Sequence, residues 1–413
     1  MVRSVDVAIV GGGPAGLVLA LLLGRSGREV ALVEQNATFE REYRGEGLQP
    51  GTRRIFAELG LARRIEALDH GSPRALLARI DGRESRIAFA AFLGDDPAAR
   101  SIFVPQPPLL EILAEAAGRA SARIEMGTAF RALRTEAGRV RGIEVARRDG
   151  TAGSIDARLV VACDGRFSAV RRAAGLATRA ARVPYDLLWF SAGALGDAND
   201  LVYLQVGGPH VALAFPSRER SLQIGWLIPK GAAHPPNAAL IERAPPEAAA
   251  SLARSLGPSA RTVRLPIASE IASAWSVPGL LLIGDAAHPM SPVAAQGINV
   301  AIADAVIAAR HIAPALEQPS ALDAALDAIE RERAGSVRRV ARQQNALPAA
   351  LHRFGPALAL RGLIAVTALV EHLGLFPYLG RPFLDRFLWG DPAVSAACGP
   401  WMREAKDSSG TSR

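Results

Sequence analysis

Gly11, Gly13 and Gly16 are spaced as GxGxxG within the run Gly11-Gly12-Gly13-Pro14-Ala15-Gly16. At this spacing the first glycine permits a tight turn, the second lets backbone approach a diphosphate, and the third allows close contact between a helix and a strand. Backbone N–H groups at the start of the following helix, together with its dipole, would stabilise the phosphate charge. Glu34, followed by Gln35, stands 18 residues after the last of these glycines. Its carboxylate suits both hydroxyls of an adenosine ribose and would repel a 2′-phosphate, so the spacing points to a non-phosphorylated dinucleotide without choosing between NAD and FAD. Two more acidic positions end short apolar runs: Asp164, followed by Gly165, and Asp285, preceded by Gly284. Asp285 is placed at the carboxyl edge of a sheet, where open α/β sheets bind ligands, although a helix N-cap would also suit it. Asp164 is equally suited to closing its own turn.

No side-chain constellation competes with this reading. The chain has no GxSxG, HExxH or Walker A sequence and no zinc-like cluster of Cys and His, and the proximity of His288 to Asp285 does not make a metal site. The chemistry therefore belongs to a cofactor, with the protein controlling orientation, electrostatics and access of water.

The elements that must hold these residues follow from the hydrophobic pattern. Residues 5–10 form a Val/Ile run expected of a strand covered on both faces. The glycine turn, an apolar helix and a second strand at 29–35 complete a βαβ unit. Helical spacing returns at 51–68, strand-like pieces occupy 72–104, and a helix covers 109–120. Residues 139–147 alternate like a strand of a small outer sheet, before the buried-type strand 158–163. Segments 201–207, 210–216 and 221–229 alternate at period two, which predicts an antiparallel sheet with one face packed on the rest of the protein. A short strand at 280–284 returns to the first domain, helices follow at 297–313 and 323–343, and the chain beyond 345 is helical and unusually apolar. The expected fold class is α/β: a Rossmann-like dinucleotide-binding domain with a parallel sheet (1–182 and 273–345), interrupted by an antiparallel-sheet second domain (183–272), plus C-terminal helices (346–413).

Composition fits a folded protein: 49% of the 413 residues are hydrophobic and 21% charged, enough for a large core and too apolar for disorder. The net charge of +8 is dilute over this length, so no nucleic-acid partner is expected. Cys163 and Cys398 are far apart and form no CxxC pair, which fits a reducing, cytoplasmic location. The apolar stretch 7–24 is interrupted by the glycine turn, so no transmembrane span is expected.

Three stretches together resemble the class A FAD-dependent aromatic-ring hydroxylases of the para-hydroxybenzoate hydroxylase class. They are GGGPAG with Glu34, CDGRFSAVRR at 163–172 with Asp164, Gly165, Ser168 and Arg171 in the characteristic places, and GDAAHPMSPVAAQGINVAIADA at 284–305. The resemblance implies FAD as cofactor, with Asp285 on the ribityl chain and the isoalloxazine over residues 292–299. Gln296, Gly297, Ile298 and Asn299 would lie beside the ring, with the Pro292 backbone lining the substrate side. Members commonly carry Gly at the positions of Ala294 and Ala295. Asp164 and Gly165 would hold FAD and help position a nicotinamide cofactor, Arg171 would serve as a pyrophosphate or domain-packing cation, and Arg44 and Gln106 match positions near the flavin. The implied reaction is reduction of FAD by NADH or NADPH, formation of a C4a-hydroperoxyflavin with molecular oxygen, and hydroxylation of a phenolic or other activated aromatic ring.

Candidates for the substrate face of the predicted sheet are Trp189, Tyr203, Gln205, His210, Phe215, Gln223 and Trp226. Strand alternation puts Tyr203 with Gln205, and Ile224 with Trp226, whereas Gln223 takes the other side. Tyr203 and His210 are carried forward as substrate-side residues, His210 as a group that could polarise a phenol. Few basic residues occur in the strand cores, which favours a larger apolar or phenolic substrate over a small carboxylate. The apolar C-terminal region would cap such a cavity, form an interface in a homodimer rather than a monomer, or touch a membrane peripherally. The Arg-rich stretch RERAGSVRRVARQ reads as a solvated helix face or as part of a reductant-docking surface. Other outcomes in the family include epoxidation, double-bond reduction, ring opening and halogenation, and GWLIP at 225–229 departs from the WxWxIP signature of halogenating members. A non-catalytic FAD-binding redox sensor is the alternative of a different class.

Overall fold

The computed structural model describes residues 2–40, 47–193, 200–208, 210–217, 221–235, 237–242, 253, 262–292, 295–373, 375–391 and 394. Val2–Val10 is the axis of the first sheet, paired in parallel with Val30–Glu34 on one side and Ala152–Ala162 on the other. Leu280–Leu282 extends the parallel set beyond Ala152–Ala162, and Arg123–Met126 extends it beyond Val30–Glu34. These strands are apolar on both faces because helices cover both: Val7, Ile9, Leu32, Val160 and Leu281 are fully buried. Helices Pro14–Arg25, Gln106–Arg119 and Gly297–Ala315 supply much of the cover. The expected outer strand Arg139–Arg147 pairs with Thr128–Glu136, and through Ala152–Ala162 it joins the main sheet.

Register brings the three motifs together. Val10 is opposite Ala162 and Val33, and Ala162 is opposite Leu282. The residues that follow, Gly11, Cys163 and Ile283, therefore leave the same sheet edge side by side. The Cys163 N–H donates to the Val10 carbonyl at 2.7 Å and the Ile283 N–H to the Ala162 carbonyl at 3.0 Å.

The second sheet runs in the order Val263–Pro266, Tyr185–Gly193, Ser221–Pro229, His210–Pro216, Leu201–Gly207, Ala75–Ile80, Arg83–Ala88. Its central hairpins are antiparallel, as expected, but Leu201–Gly207 pairs in parallel with Ala75–Ile80. Two strands from the first segment thus belong to the second sheet, a long-range pairing that local alternation does not reveal. Helix Leu322–Phe354 also runs through residue 345, where the sequence suggested a boundary. Its buried stripe of Ile329, Val337, Ala341 and Leu351 continues past Pro348, and packing outweighs the backbone hydrogen bond lost at that proline. Among the described residues one helix, Gly297–Ala315, is long and apolar enough to cross a membrane, and 78% of its apolar window is buried inside the protein.

Candidate functional site

The glycine turn is shaped by backbone proximity. Gly11 has φ +109°, and a Cβ there would lie 2.3 Å from the Cys163 carbonyl oxygen; a Cβ on Gly16 would meet the Gly11 oxygen at 2.1 Å. Only glycine fits either position. Gly13 caps helix Pro14–Arg25 in extended conformation, makes no side-chain cap bond, and is followed by no acidic residue in the first turn. With Pro14 at its start and Ala15 and Gly16 adding no polar side chain, this helix end presents backbone N–H groups suited to a diphosphate.

Glu34 closes its strand with its side chain almost wholly buried, 4% exposed. Its Oε2 accepts from the Gly12 N–H at 2.8 Å, and its Oε1 accepts from the Asn36 N–H at 3.0 Å and Nδ2 at 2.7 Å. The carboxylate is thereby fixed beside the glycine turn, while Gln35 is exposed. On the adjoining strand, Asp164 Oδ2 accepts from the Val170 N–H at 3.0 Å, whereas Oδ1 is buried with no partner among the described residues. Burial pushes the Asp164 carboxyl up, against the hydrogen bonds from Ser168 and Val170 that pull it down. A buried acceptor without a donor, beside a glycine cradle with no room for side chains, fits a hydroxyl-bearing dinucleotide such as FAD. Gly165 turns the chain at φ +82°.

Arg171 is committed to the protein. It donates to the Ala286 carbonyl at 2.6 Å and the Arg166 carbonyl at 3.1 Å, and so braces the Asp164 turn against the Asp285 turn. This is the packing alternative of the two roles open in the sequence. Gly284 lies between the two covering helices: a Cβ there would meet the methyls of Ala301 at 3.2 Å and Ala15 at 3.5 Å. Asp285, in the short turn Gly284–Ala286, is partly exposed at the sheet edge.

A buried charged group that sequence reasoning left unassigned holds this turn. Asp304 Oδ2 accepts from the Gly284 N–H at 3.0 Å and from His288 Nε2 at 2.6 Å, and Oδ1 accepts from Arg333 Nε at 2.7 Å. All three side chains are essentially inaccessible. Burial alone would raise the Asp304 carboxyl, but the charges and hydrogen bonds of His288 and Arg333 outweigh it and hold the group below its ordinary 3.8. Arg333 belongs to the stretch read as a solvated helix face. Its neighbours Arg331, Arg338, Arg339 and Arg342 are exposed, but Arg333 lies in register with buried Ile329 and Val337. A lone arginine in an apolar i, i+4, i+8 stripe was the available signal.

Asn299 has a similar integrating role. Its Oδ1 accepts from the Gln49 N–H at 2.9 Å and Thr52 Oγ1 at 2.7 Å, and its Nδ2 donates to the Gly47 and Ala295 carbonyls, each at 2.9 Å. Gln296 Nε2 donates to the Phe387 carbonyl at 3.2 Å. Both side chains thus serve the protein, leaving the backbone of Gly297, Ile298 and Asn299 at the helix start as the group able to meet a ring. Pro292 is partly exposed at the mouth of this loop, and Gln106 is buried at the first position of helix Gln106–Arg119. Ala295 has φ +49°, the left-handed region, which is strained for a residue with a side chain. Arg44, Val293 and Ala294 lie outside the described residues.

The loop faces one side of the second sheet. The Ala295 Cβ and the Phe103 ring both crowd the position of a Cβ on Gly47, at 2.9 and 3.4 Å. Phe103 stacks on Phe215 with centroids 4.6 Å apart, Trp189 lies 5.5 Å from Phe215, and Trp189 Nε1 donates to Gln223 Oε1 at 2.8 Å. Register puts Trp189, Leu204, Leu213, Phe215, Gln223 and Gly225 on this side. Tyr203 and His210 are on the other: Tyr203 packs with Phe190, Ile224 and Trp226 under Leu240, away from the flavin loop. His210 sits 5.9 Å from the Trp226 ring and lines a cavity of ≈ 180 Å³ with Gln205 and Gly207. The alternation of the strands was read correctly, but alternation does not say which side meets the cofactor. Phe103 was the residue missed: its short strand-like piece was read, but nothing local in the sequence places it beside Phe215, over a hundred residues away.

Comparison with known proteins agrees with this geometry. Residues 4–344 match the family described as FAD binding domain. The 6-methylpretetramide 4-monooxygenase of Streptomyces rimosus is 36% identical over 359 residues, 82% of either chain. Squalene epoxidase 6 of Arabidopsis thaliana is 25% identical over 327 residues, 75% of this chain and 62% of its own length. Among solved structures, Pseudomonas aeruginosa PqsL in complex with 2-aminobenzoylacetate superposes with TM-score 0.75 at 24% identity, covering 88% of this chain and 100% of PqsL. The p-nitrophenol 4-monooxygenase PnpA from Pseudomonas putida gives TM-score 0.76 at 19% identity, covering 94% and 99%. The chain therefore belongs to the FAD binding domain family, within its class A aromatic-ring hydroxylases, and is an FAD-dependent monooxygenase.

Proposed function

We propose that this enzyme hydroxylates a large, flat, apolar phenol or related activated aromatic, using NADH or NADPH as transient reductant and molecular oxygen as co-substrate. The observation that carries this reading is the aromatic face of Phe103, Phe215 and Trp189 opposite the flavin loop. In the four central strands that face bears no Lys or Arg among the described residues, so a small carboxylate has no bidentate clamp there. The relative from Streptomyces rimosus, whose name specifies a 6-methylpretetramide, supports a substrate of that class.

In this reading the backbone of Gly11, Gly13, Pro14, Ala15 and Gly16 holds the FAD diphosphate, Glu34 the adenosine ribose and Asp285 the ribityl chain. Asp164, with its free Oδ1, accepts a further hydroxyl of a bound dinucleotide. The N–H groups of Gly297, Ile298 and Asn299 stabilise negative charge on the ring, and Pro292 borders the substrate. FAD, when bound, supplies the redox and oxygen-transfer chemistry. The chain positions the substrate: Gln223 accepts from Trp189 through Oε1, which leaves its Nε2 hydrogens to donate to a carbonyl or phenolate oxygen.

The squalene epoxidase relatives favour one second reading, epoxidation of an apolar alkene against the same face. Anaerobic stopped-flow reduction by NADH and NADPH, across phenols, polycyclic phenols and alkenes, separates the two. A large phenol is expected to accelerate flavin reduction most. Acceleration by alkenes alone would favour epoxidation, and no reduction with any ligand would remove the hydroxylase assignment.

A further inference from the structure

A second cavity, of ≈ 280 Å³, opens beside the flavin loop between helices Pro50–Glu58, Gly297–Ala315, Leu322–Phe354 and Phe376–Trp389. Its lining carries Arg54, Arg339 and Arg386. None of these three makes a hydrogen bond or ion pair with another described residue. Arg333 also lines the cavity, but Asp304 neutralises it. Among the described lining residues Asp391 is the one carboxylate, so unpaired positive charge is in excess.

Arg54 is the most informative of the three. Its guanidinium lies over the Trp389 ring, 5.5 Å from the centroid, and its Nε is buried without a partner. Stacking of this kind holds the plane of the fork and leaves its edge for an oxyanion. Arg54, half-buried, and Arg339 and Arg386, exposed, put three positive charges on the lining of one cavity, and a diphosphate matches both the charge and the fork geometry.

We propose that this cavity is a binding site for a diphosphate-bearing ligand. Pockets that enclose a whole drug-sized ligand start at roughly 300 Å³, so the space suits a diphosphate with an attached sugar, and the remainder of a dinucleotide would lie outside. Gln296 and Asn299 form part of its wall. Asn299 also donates to the Gly47 and Ala295 carbonyls, so the cavity wall is continuous with the flavin loop. Two sources share this chemistry: the reductant itself and a separate phosphorylated effector.

The test is calorimetric titration of the FAD-loaded enzyme with inorganic diphosphate and with NADPH, singly and in competition. Diphosphate binding is expected to be saturable and to weaken as salt rises. Arg54→Gln, Arg339→Gln and Arg386→Gln should each weaken it about tenfold, the loss of one charge-assisted contact. Arg386→Lys should restore part of the loss. Competition by NADPH assigns the cavity to the reductant, and diphosphate binding unaffected by NADPH assigns it to an effector. Absence of saturable binding at millimolar concentration, or wild-type affinity in all three Gln variants, overturns the proposal. FAD content and substrate-stimulated reduction, measured in the same preparations, keep this result separate from any failure of the hydroxylase reading.

Discussion

At the scale of residues, Asp304 ties the Gly284–Ala286 turn to the core, a role that the motifs did not suggest. Its carboxylate fixes the N–H that begins the Gly284–Ala286 turn and neutralises Arg333 in the core. Asp304→Asn should destabilise the protein by about 3–5 kcal/mol, because Arg333 is left buried without its counter-ion, and it should weaken FAD retention through Gly284. Thermal denaturation with and without FAD checks both effects. The folded-state value of Asp304 lies below 3.8. The unfolded chain therefore binds the extra proton first, and stability rises with pH between the two values. The Asp304 contribution is complete above the unfolded value and lost as pH falls through the folded one. Wild-type enzyme should show this acid-side slope, and the Asn variant should lack it. Gln223 makes a different claim: Gln223→Leu should raise KM for an oxygen-bearing aromatic about tenfold, the cost of one unmade hydrogen bond, with FAD affinity unchanged. An unchanged KM would remove Gln223 from the substrate site.

Among the elements, the parts legible in the sequence were those fixed by local pattern. The glycine turn, Glu34, and the strands ending at Val10 and Ala162 were readable because strand, turn and helix follow one another within a few residues. The parallel pairing of Ala75–Ile80 with Leu201–Gly207 was not readable, since it joins segments distant in sequence. The same limit applied to Tyr203 and His210. Period-two alternation defines two faces of a sheet, but the choice between them is made by what packs there, here Phe103 and the loop at Ala295. That loop carries a local cost. Ala295 at φ +49° should destabilise the turn by about 1–2 kcal/mol relative to glycine. Ala295→Gly is accordingly expected to raise Tm by roughly 1–3 °C. A lower Tm would show that the contact of the Ala295 methyl with Gly47 outweighs the backbone strain.

For the whole molecule, the two sheets and the C-terminal helices divide the work. The first sheet sets three motifs on one edge, and the second presents an aromatic wall to them. Helix Pro356–His372 places Leu360 in the buried cluster that contains Trp189 and Phe215, so its inner side packs on that face of the sheet. Its outer side nevertheless exposes Leu358, Leu363, Val366 and Leu369, each more than half accessible. The apolar character of this helix was legible, but burial of only one side was not, because both sides are apolar in sequence. The central claim concerns the molecule as one catalyst: oxygen activated at the sheet edge is delivered to a ring held against Phe103, Phe215 and Trp189. Turnover under ¹⁸O₂, with the substrate found by flavin reduction, tests this most directly. Mass spectrometry should find one labelled oxygen atom in the hydroxylated ring, and an unlabelled hydroxyl, or a product with no added oxygen, would contradict the account.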